Sequence, residues 1–389
     1  MKIALLFRSY GPYHLARLAA VRQYHSVLAL EYSDIDADYG WEVAAQKRDA
    51  GVIALSNPRG AEAFAKRLTA ELGRFMPDAV AIPGYAEPFA LAALRTCNAL
   101  NIPAILMSDT HAGSVSRNRV REALKRQLVQ LYRAAFVAGT PHAEFLVSLG
   151  FPAHKIATGF DTIDNAHFAK ASENTSEREA LKQANLPKSF FLCCARLVSK
   201  KNLPFLIEAY ARYRSAHSDQ PWDLVIAGDG PLREAVTDRA SELSVTSSVH
   251  LLGHKSYATL PGIYARAGAF VLPSIVDEWG LVVNEAMAAG LPVLVSEGAG
   301  CQRDLVESGV NGVTFDSRDA GELARLLAAV ATSNNREQMG AASRRIISKW
   351  DLDRFAHGLA QAVEISRRPR HSRRFHMGAA VATALSIRI

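Results

Sequence analysis

The sequence predicts two doubly wound α/β domains in series. Three observations carry that prediction. The chain has 389 residues, too many for one ordinary core, and two domains of about 150 to 200 residues are the natural division. Short, continuously apolar runs alternate with amphipathic stretches, as in parallel strands covered by helices on both faces. The alternation breaks at the polar segment 171–179 and then begins again.

In the first half, the runs at 2–7, 27–32, 51–55, 78–84, 104–109, 134–139 and 155–160 read as strands. Helical patterns lie between them, starting at Tyr13 and recurring near 60–75, 86–100 and, as a long basic helix, 118–133. The second half repeats the scheme with strands at 189–197, 223–228, 249–253, 269–274, 291–296 and 312–316. The predicted domains are 1–165 and 166–350, joined near 161–188, then a final helix at 351–365 that packs back on the first domain, and a tail at 366–389. In such sheets ligands bind beyond the carboxyl ends of the strands. Chemistry is therefore expected in the loops after strands, facing a cleft between the domains.

Composition bounds the function. Hydrophobic residues at 49% and charged residues at 21% describe a soluble globular protein. The opening MKIALLF meets Arg8 too soon for a signal peptide, and no apolar run approaches the roughly 20 residues of a spanning helix. Cys97, Cys193, Cys194 and Cys301 lack paired metal spacing, so buried reduced thiols in a cytoplasmic protein are expected. The net charge is +7, but six arginines and no acid lie in 365–389, which leaves +1 for the body. A nearly neutral body argues against a nucleic-acid groove across the folded domains.

Four post-strand stretches in the second half point to one sheet edge. They are ARLVSKKN (195–202), GDGP (228–231), HKSY (254–257) and DEWGLVVNEAMAAGLPV (277–293). Arg196 and Lys201 alone would fit solvated loop charges, and Gly228, Asp229 and Gly230 alone an ordinary turn. The fourth stretch is more specific. A helix starting at Gly280 leaves the N–H groups of Gly280, Leu281 and Val282 unpaired at its positive end, which suits a phosphate. Arg196 and Lys201 add the fixed charge a diphosphate leaving group needs. Glu285 lies about one and a half turns further in, where a carboxylate suits neutral hydroxyls such as those of a ribose. Asp277 precedes the helix and is placed to do the same for a second sugar. The apolar neighbours of Glu285 favour a satisfied, partly buried side chain over an exposed one.

These motifs resemble the C-terminal domain of retaining glycosyltransferases of the GT-B fold, family 4, and carry its acid-x7-Glu signature at Asp277 and Glu285. In the first half, YGPYHLARL (10–18), the stretch from HAGS (111–114) to AGTPHAEFLVSLG (138–150) and GFDTIDN (159–165) resemble a bacterial polysaccharide-assembly branch, more loosely. The resemblance implies two facing Rossmann-like domains, the second binding a UDP- or GDP-linked sugar. It gives Arg196 and Lys201 to the diphosphate, Glu285 to the ribose and Asp277 to the transferred sugar. The family usually has glutamate at the position of Asp277, and one methylene less puts donor-sugar identity in question. Donor contacts are further expected from Gly228, Asp229, Gly230 and His254, and acceptor contacts from Gly11, His14 and Arg17. The implied mechanism is front-face transfer with retention, the leaving phosphate taking the acceptor's proton. His111 then either hydrogen-bonds the sugar or is structural.

No cofactor and no metal are expected. Asp34, Asp36 and Asp38 superficially suit a cation, but a calcium loop needs glycine and an acid where Tyr39 and Ala45 stand. The tail keeps two readings open: a disordered charged terminus, or a peripheral anchor on anionic lipid, aided by Arg121, Lys125 and Arg126. A saccharide or lipid-linked acceptor fits either. The rival functions are a sugar-nucleotide epimerase of the same architecture, a catalytically silent nucleotide-sugar-binding protein and, most distantly, a nucleic-acid binder built on the arginine tail.

Overall fold

The computed structural model describes residues 1–33, 44–55, 60–114, 119–170, 186–216 and 221–368. It divides into two compact units, 1–162 with 352–389 and 163–351.

The first unit is built on β1 (Lys2–Phe7), β2 (Ser26–Glu31), β3 (Ile53–Ala54), β4 (Ala79–Pro83), β5 (Ala104–Ser108), β6 (Ala134–Val137) and β7 (Ile156–Thr158). All pair in parallel, in the order β3-β2-β1-β4-β5-β6-β7. The helices between them are α1 (Pro12–Tyr24), α2 (Ala44–Asp49), α3 (Gly60–Phe75), α4 (Pro88–Ala99), α5 (Arg119–Val129) and α6 (Thr140–Ser148). Proline in the first turn of α1, α4 and α6 fixes the helical φ where its missing N–H costs nothing. One apolar cluster fills the face under α3 and α4, around Phe64, Leu68, Leu91 and Leu94. A second fills the face under α1, with Leu18, Val21, Phe136 and Phe160 packed against Phe355 and Leu359.

The second unit opens with α7 (Asn165–Ala169), capped by Asp164, whose carboxylate accepts from the N–H groups of Ala166 and His167. Its sheet contains β8 (Phe190–Cys194), β9 (Asp223–Ala227), β10 (Val249–Gly253), β11 (Ala269–Leu272), β12 (Val293–Ser296) and β13 (Gly312–Phe315). These are parallel in the order β10-β9-β8-β11-β12-β13. Its helices are α8 (Leu203–Ala216), α9 (Arg233–Glu242), α10 (Leu260–Tyr264), α11 (Leu281–Ala289), α12 (Gln302–Leu305), α13 (Ala320–Thr332) and α14 (Arg336–Ile347). The last helix, α15 (Leu352–Arg367), belongs to the first unit and packs on α1, β6 and β7.

Several strands end earlier than their apolar runs. Past the end of β8, Ala195 and Leu197 still donate to the carbonyls of Ala227 and Asp229, so the chain runs on beside β9 and the glycine turn after the regular ladder stops. In both sheets the chain winds outward from a central strand and then crosses to its other side, which puts the topological switch points at β1/β4 and β8/β11. All four cysteines are free and buried, and burial pushes the Cys97 and Cys193 thiols up to about 12. Such thiols are inert at neutral pH. Asp34, Asp36 and Asp38, most of the tail and the side chain of Arg121 lie outside the described residues. Among the described residues no helix is long and apolar enough to cross a membrane. Nor do three His, Cys, Asp or Glu side chains gather there as a metal would require.

Candidate functional site

The loops at the β8/β11 switch point and the helix after β11 hold most of the predicted donor residues. After β8 a 3-10 turn at Ser199–Lys201 carries the two lysines, with Arg196, half-buried, just before it. After β11 the loop from Ser274 to Gly280 runs beside it. The Lys201 ammonium pairs with Asp277 Oδ2, and Ser274 Oγ donates to the same oxygen at 3.2 Å. One residue along, Lys200 Nζ meets Glu278 Oε2 at 2.5 Å. The Ile275 N–H donates to the Lys200 carbonyl at 2.9 Å. The two loops are thus joined by two side-chain ion pairs and a main-chain bond.

The pairs differ in burial. The side chains of Lys201 and Asp277 are 12% and 8% exposed, whereas those of Lys200 and Glu278 are 32% and 38% exposed. Burial acts to raise the Glu278 carboxyl, but the bond and charge of Lys200 outweigh it and hold the group below its usual value. Asp277 was expected to meet a sugar hydroxyl. Here it is almost wholly enclosed, and its Oδ2 accepts from both Lys201 and Ser274.

Gly280 caps α11 with φ +97°, a left-handed conformation that costs a side chain steric strain, and an added Cβ would meet Leu272 at 3.0 Å. The N–H groups of Gly280, Leu281 and Val282 find no acceptor among the described residues. Glu285, in the second turn, has no accessible surface. Its Oε2 accepts the Tyr264 hydroxyl at 2.7 Å, and the Tyr264 ring packs edge-on against Phe168 and tilted on Phe270. Burial pushes the Tyr264 phenol well above its usual value, so it remains a donor. The side chain expected to meet a ribose thus has no accessible surface, and its Oε2 is held by Tyr264.

The glycine turn has a structural reason. A Cβ on Gly228, at φ +143°, would lie 1.9 Å from the Ala195 carbonyl oxygen, and one on Gly230 would lie 2.7 Å from that of Leu197. The turn therefore straps the Arg196 loop from below. Asp229 Oδ1 accepts the Gly230 N–H and Oδ2 faces Arg233 at 3.5 Å. His254 is exposed just after β10.

The first-unit candidates follow β1 and β5. The Gly11 N–H donates to His14 Nδ1 at 3.1 Å, closing the start of α1. Burial and the charges of Arg17 and Lys47 lower His14 to about 3, so it is neutral. Arg17 was expected to touch an acceptor. It is 2% exposed instead, with its guanidinium between the rings of Phe160 and Phe355 at 5.3 and 5.5 Å. Its Nε donates to the Thr162 carbonyl and a terminal nitrogen pairs with Asp161. It clamps α1 to α15 and the chain after β7, leaving no donor surface for a ligand. His111, 8% exposed, accepts the Gly113 N–H at Nδ1 and lies edge-to-face with His142. With Nδ1 an acceptor, Nε2 is the ring nitrogen left to donate.

Residues 175–346 match the family model described as Glycosyl transferases group 1. The crystal structure of HepE from Anabaena in complex with UDP superposes with a TM-score of 0.75 at 17% identity, covering 94% of this chain and 100% of that one. The fold is GT-B. A glycosyltransferase from Rickettsia africae shares the GT-B likeness at a TM-score of 0.74 and 13% identity, over 94% and 98% of the two chains. In sequence the chain is 33% identical over 181 residues to glycogen synthase of Mycobacterium tuberculosis, 46% of this chain and 42% of the other. It is 35% identical over 126 residues to an uncharacterized glycosyltransferase of Methanocaldococcus jannaschii, 32% and 31% of the two chains. The chain spans less than half the length of these two curated relatives. Within the GT-B frame, sequence reasoning missed Lys200, Glu278, Ser274 and Tyr264. The first two were visible as neighbours of predicted residues. Ser274 and Tyr264 carried no signal that separates them from an ordinary strand end and core helix.

Proposed function

We propose that the chain is a retaining glycosyltransferase that moves a sugar from a UDP- or GDP-linked donor to a saccharide or lipid-linked acceptor, without a required metal or cofactor, in polysaccharide or glycolipid assembly. One observation carries it. At the β8/β11 switch point, the N–H groups that open α11, which find no acceptor among the described residues, share a sheet end with Arg196, Lys200 and Lys201, inside the segment matching Glycosyl transferases group 1. A diphosphate is the group those donors and charges suit together.

In this proposal Arg196 and Lys201 neutralise the departing diphosphate, with Asp277 fixing the lysine. The N–H groups of Gly280, Leu281 and Val282 hold a phosphate. Glu285 turns from Tyr264 to the ribose, and Gly228, Asp229, Gly230 and His254 complete the donor side. The acceptor oxygen attacks the anomeric carbon from the face the phosphate leaves; the bond to phosphate breaks, and the phosphate oxygen takes the acceptor's proton. No protein nucleophile is needed. His111 donates from Nε2 to the sugar, and Gly11 and His14 shape the acceptor side. The work is done in the cytoplasm, in peripheral association with an anionic membrane where the acceptor is lipid-linked.

The test is transfer itself. Purified protein is incubated with UDP- and GDP-sugars and with oligosaccharide and lipid-linked acceptors, and product is followed by mass spectrometry. Product that survives EDTA and disappears in Lys201→Ala and Glu285→Ala variants is the expected result. Binding without transfer across the panel refutes the activity, and conversion of the free donor to its epimer replaces it with an isomerase.

A further inference from the structure

We infer that His167 and Phe168, on α7, are positioning residues for the nucleoside side of the donor site; this rests on the transferase reading above. Neither lies in the post-strand loops where donor contacts were sought. α7 follows the point at which the chain passes from the first unit to the second, between Thr162 and Ile163. Its start is anchored independently of the donor loops. Asp164 accepts the His167 N–H at 3.2 Å, and Asn165 Nδ2 donates to the Ile347 carbonyl at 2.9 Å.

From that anchor the helix grips one segment twice. Past Gly253, at φ +70°, the chain leaves β10 and runs from His254 through Tyr257 into α10, which ends at Tyr264. The His167 ring lies flat on Tyr257, with centroids 4.1 Å apart and planes 3° from parallel. Its Nε2 is 3.0 Å from the Tyr257 carbonyl oxygen, and a carbonyl only accepts, so the imidazole donates there. Phe168, 1% exposed, meets Tyr257 and Tyr264 edge-to-face at 5.6 and 5.7 Å. Tyr264 in turn donates to Glu285. Two adjacent side chains of α7 therefore fix both ends of the stretch that carries His254 and the partner of Glu285. The diphosphate groups, Arg196, Lys201 and the N–H donors of α11, stand outside this stretch, so loosening it weakens the hold on the nucleoside and spares the phosphates.

The experiment measures binding of UDP, GDP and inorganic pyrophosphate by isothermal titration. The chains are wild type, His167→Ala, His167→Phe, His167→Gln and Phe168→Leu, with circular dichroism confirming folding. Pyrophosphate probes the phosphate donors alone. His167→Phe keeps a ring on Tyr257 and loses the bond, whereas His167→Gln keeps a donor and loses the stack. His167→Ala is expected to weaken UDP and GDP by roughly tenfold, and the other three variants by less, while pyrophosphate binds as it does to wild type. Equal losses for all three ligands, or no loss in any variant, overturn the role given to α7 and leave the transferase reading standing. A wild-type chain that binds UDP and GDP no more tightly than pyrophosphate overturns both.

Discussion

Lys201 and Asp277, 76 residues apart in sequence, form a nearly buried ion pair that closes the β8/β11 switch point. Together with the Lys200–Glu278 pair and the Ile275 N–H bond to the Lys200 carbonyl, it holds the basic turn beside the helix start. Removing one partner strands the other. Lys201→Ala is expected to destabilise the chain by about 3 kcal/mol, and the double variant with Asp277→Ala by less than the sum of the single changes. Urea unfolding of the three variants and wild type gives the coupling directly.

The bond between Tyr264 and Glu285 makes a second prediction. Burial leaves this carboxylate dependent on protein donors, and the phenol supplies one. Tyr264→Phe keeps the ring against Phe168 and Phe270 but removes the donor, and is expected to cost about 1–3 kcal/mol in a denaturant melt. Tyr264→Phe with Glu285→Gln should recover part of that loss, because a neutral amide is cheaper to leave short of a partner.

The architecture was legible because parallel strands buried on both faces read as uninterrupted apolar runs, as in 190–194 and 269–272. GDGP was legible as a turn, though not why its glycines are needed: that follows from the approach of the Ala195 and Leu197 carbonyls, which belong to another strand's loop. The pairing of Lys201 with Asp277 was beyond reach for the same reason. It depends on β8 lying next to β11, and strand order is not written in either loop. The burial of Arg17 was not legible, because an arginine after a first strand looks like a ligand contact. Only the fold brings Phe355 from the far end of the chain to cover it.

That clamp is testable. Arg17→Ala leaves Asp161 buried without its guanidinium and opens a gap between two rings. The expected loss is about 3–5 kcal/mol, while the KM for acceptor of the folded fraction stays unchanged. Thermal unfolding measures the first and acceptor titration the second; a raised KM with normal stability would return Arg17 to the acceptor site.

His14 gives the pH dependence. Its folded value lies near 3, below the roughly 6.5 of an unfolded chain. Between those limits the unfolded state binds the proton and the folded state does not, so stability rises with pH across the window and is lost as pH falls from 6.5 toward 3. The slope attributable to this one group is about 1.4 kcal/mol per pH unit. Asparagine can keep an acceptor for the Gly11 N–H while losing the titrating ring. His14→Asn should therefore flatten the acid limb of the stability curve measured by urea melts from pH 7 to 4. An acid limb unchanged in that variant would mean that other groups, with Glu278 and its lysine the first to examine, govern acid sensitivity.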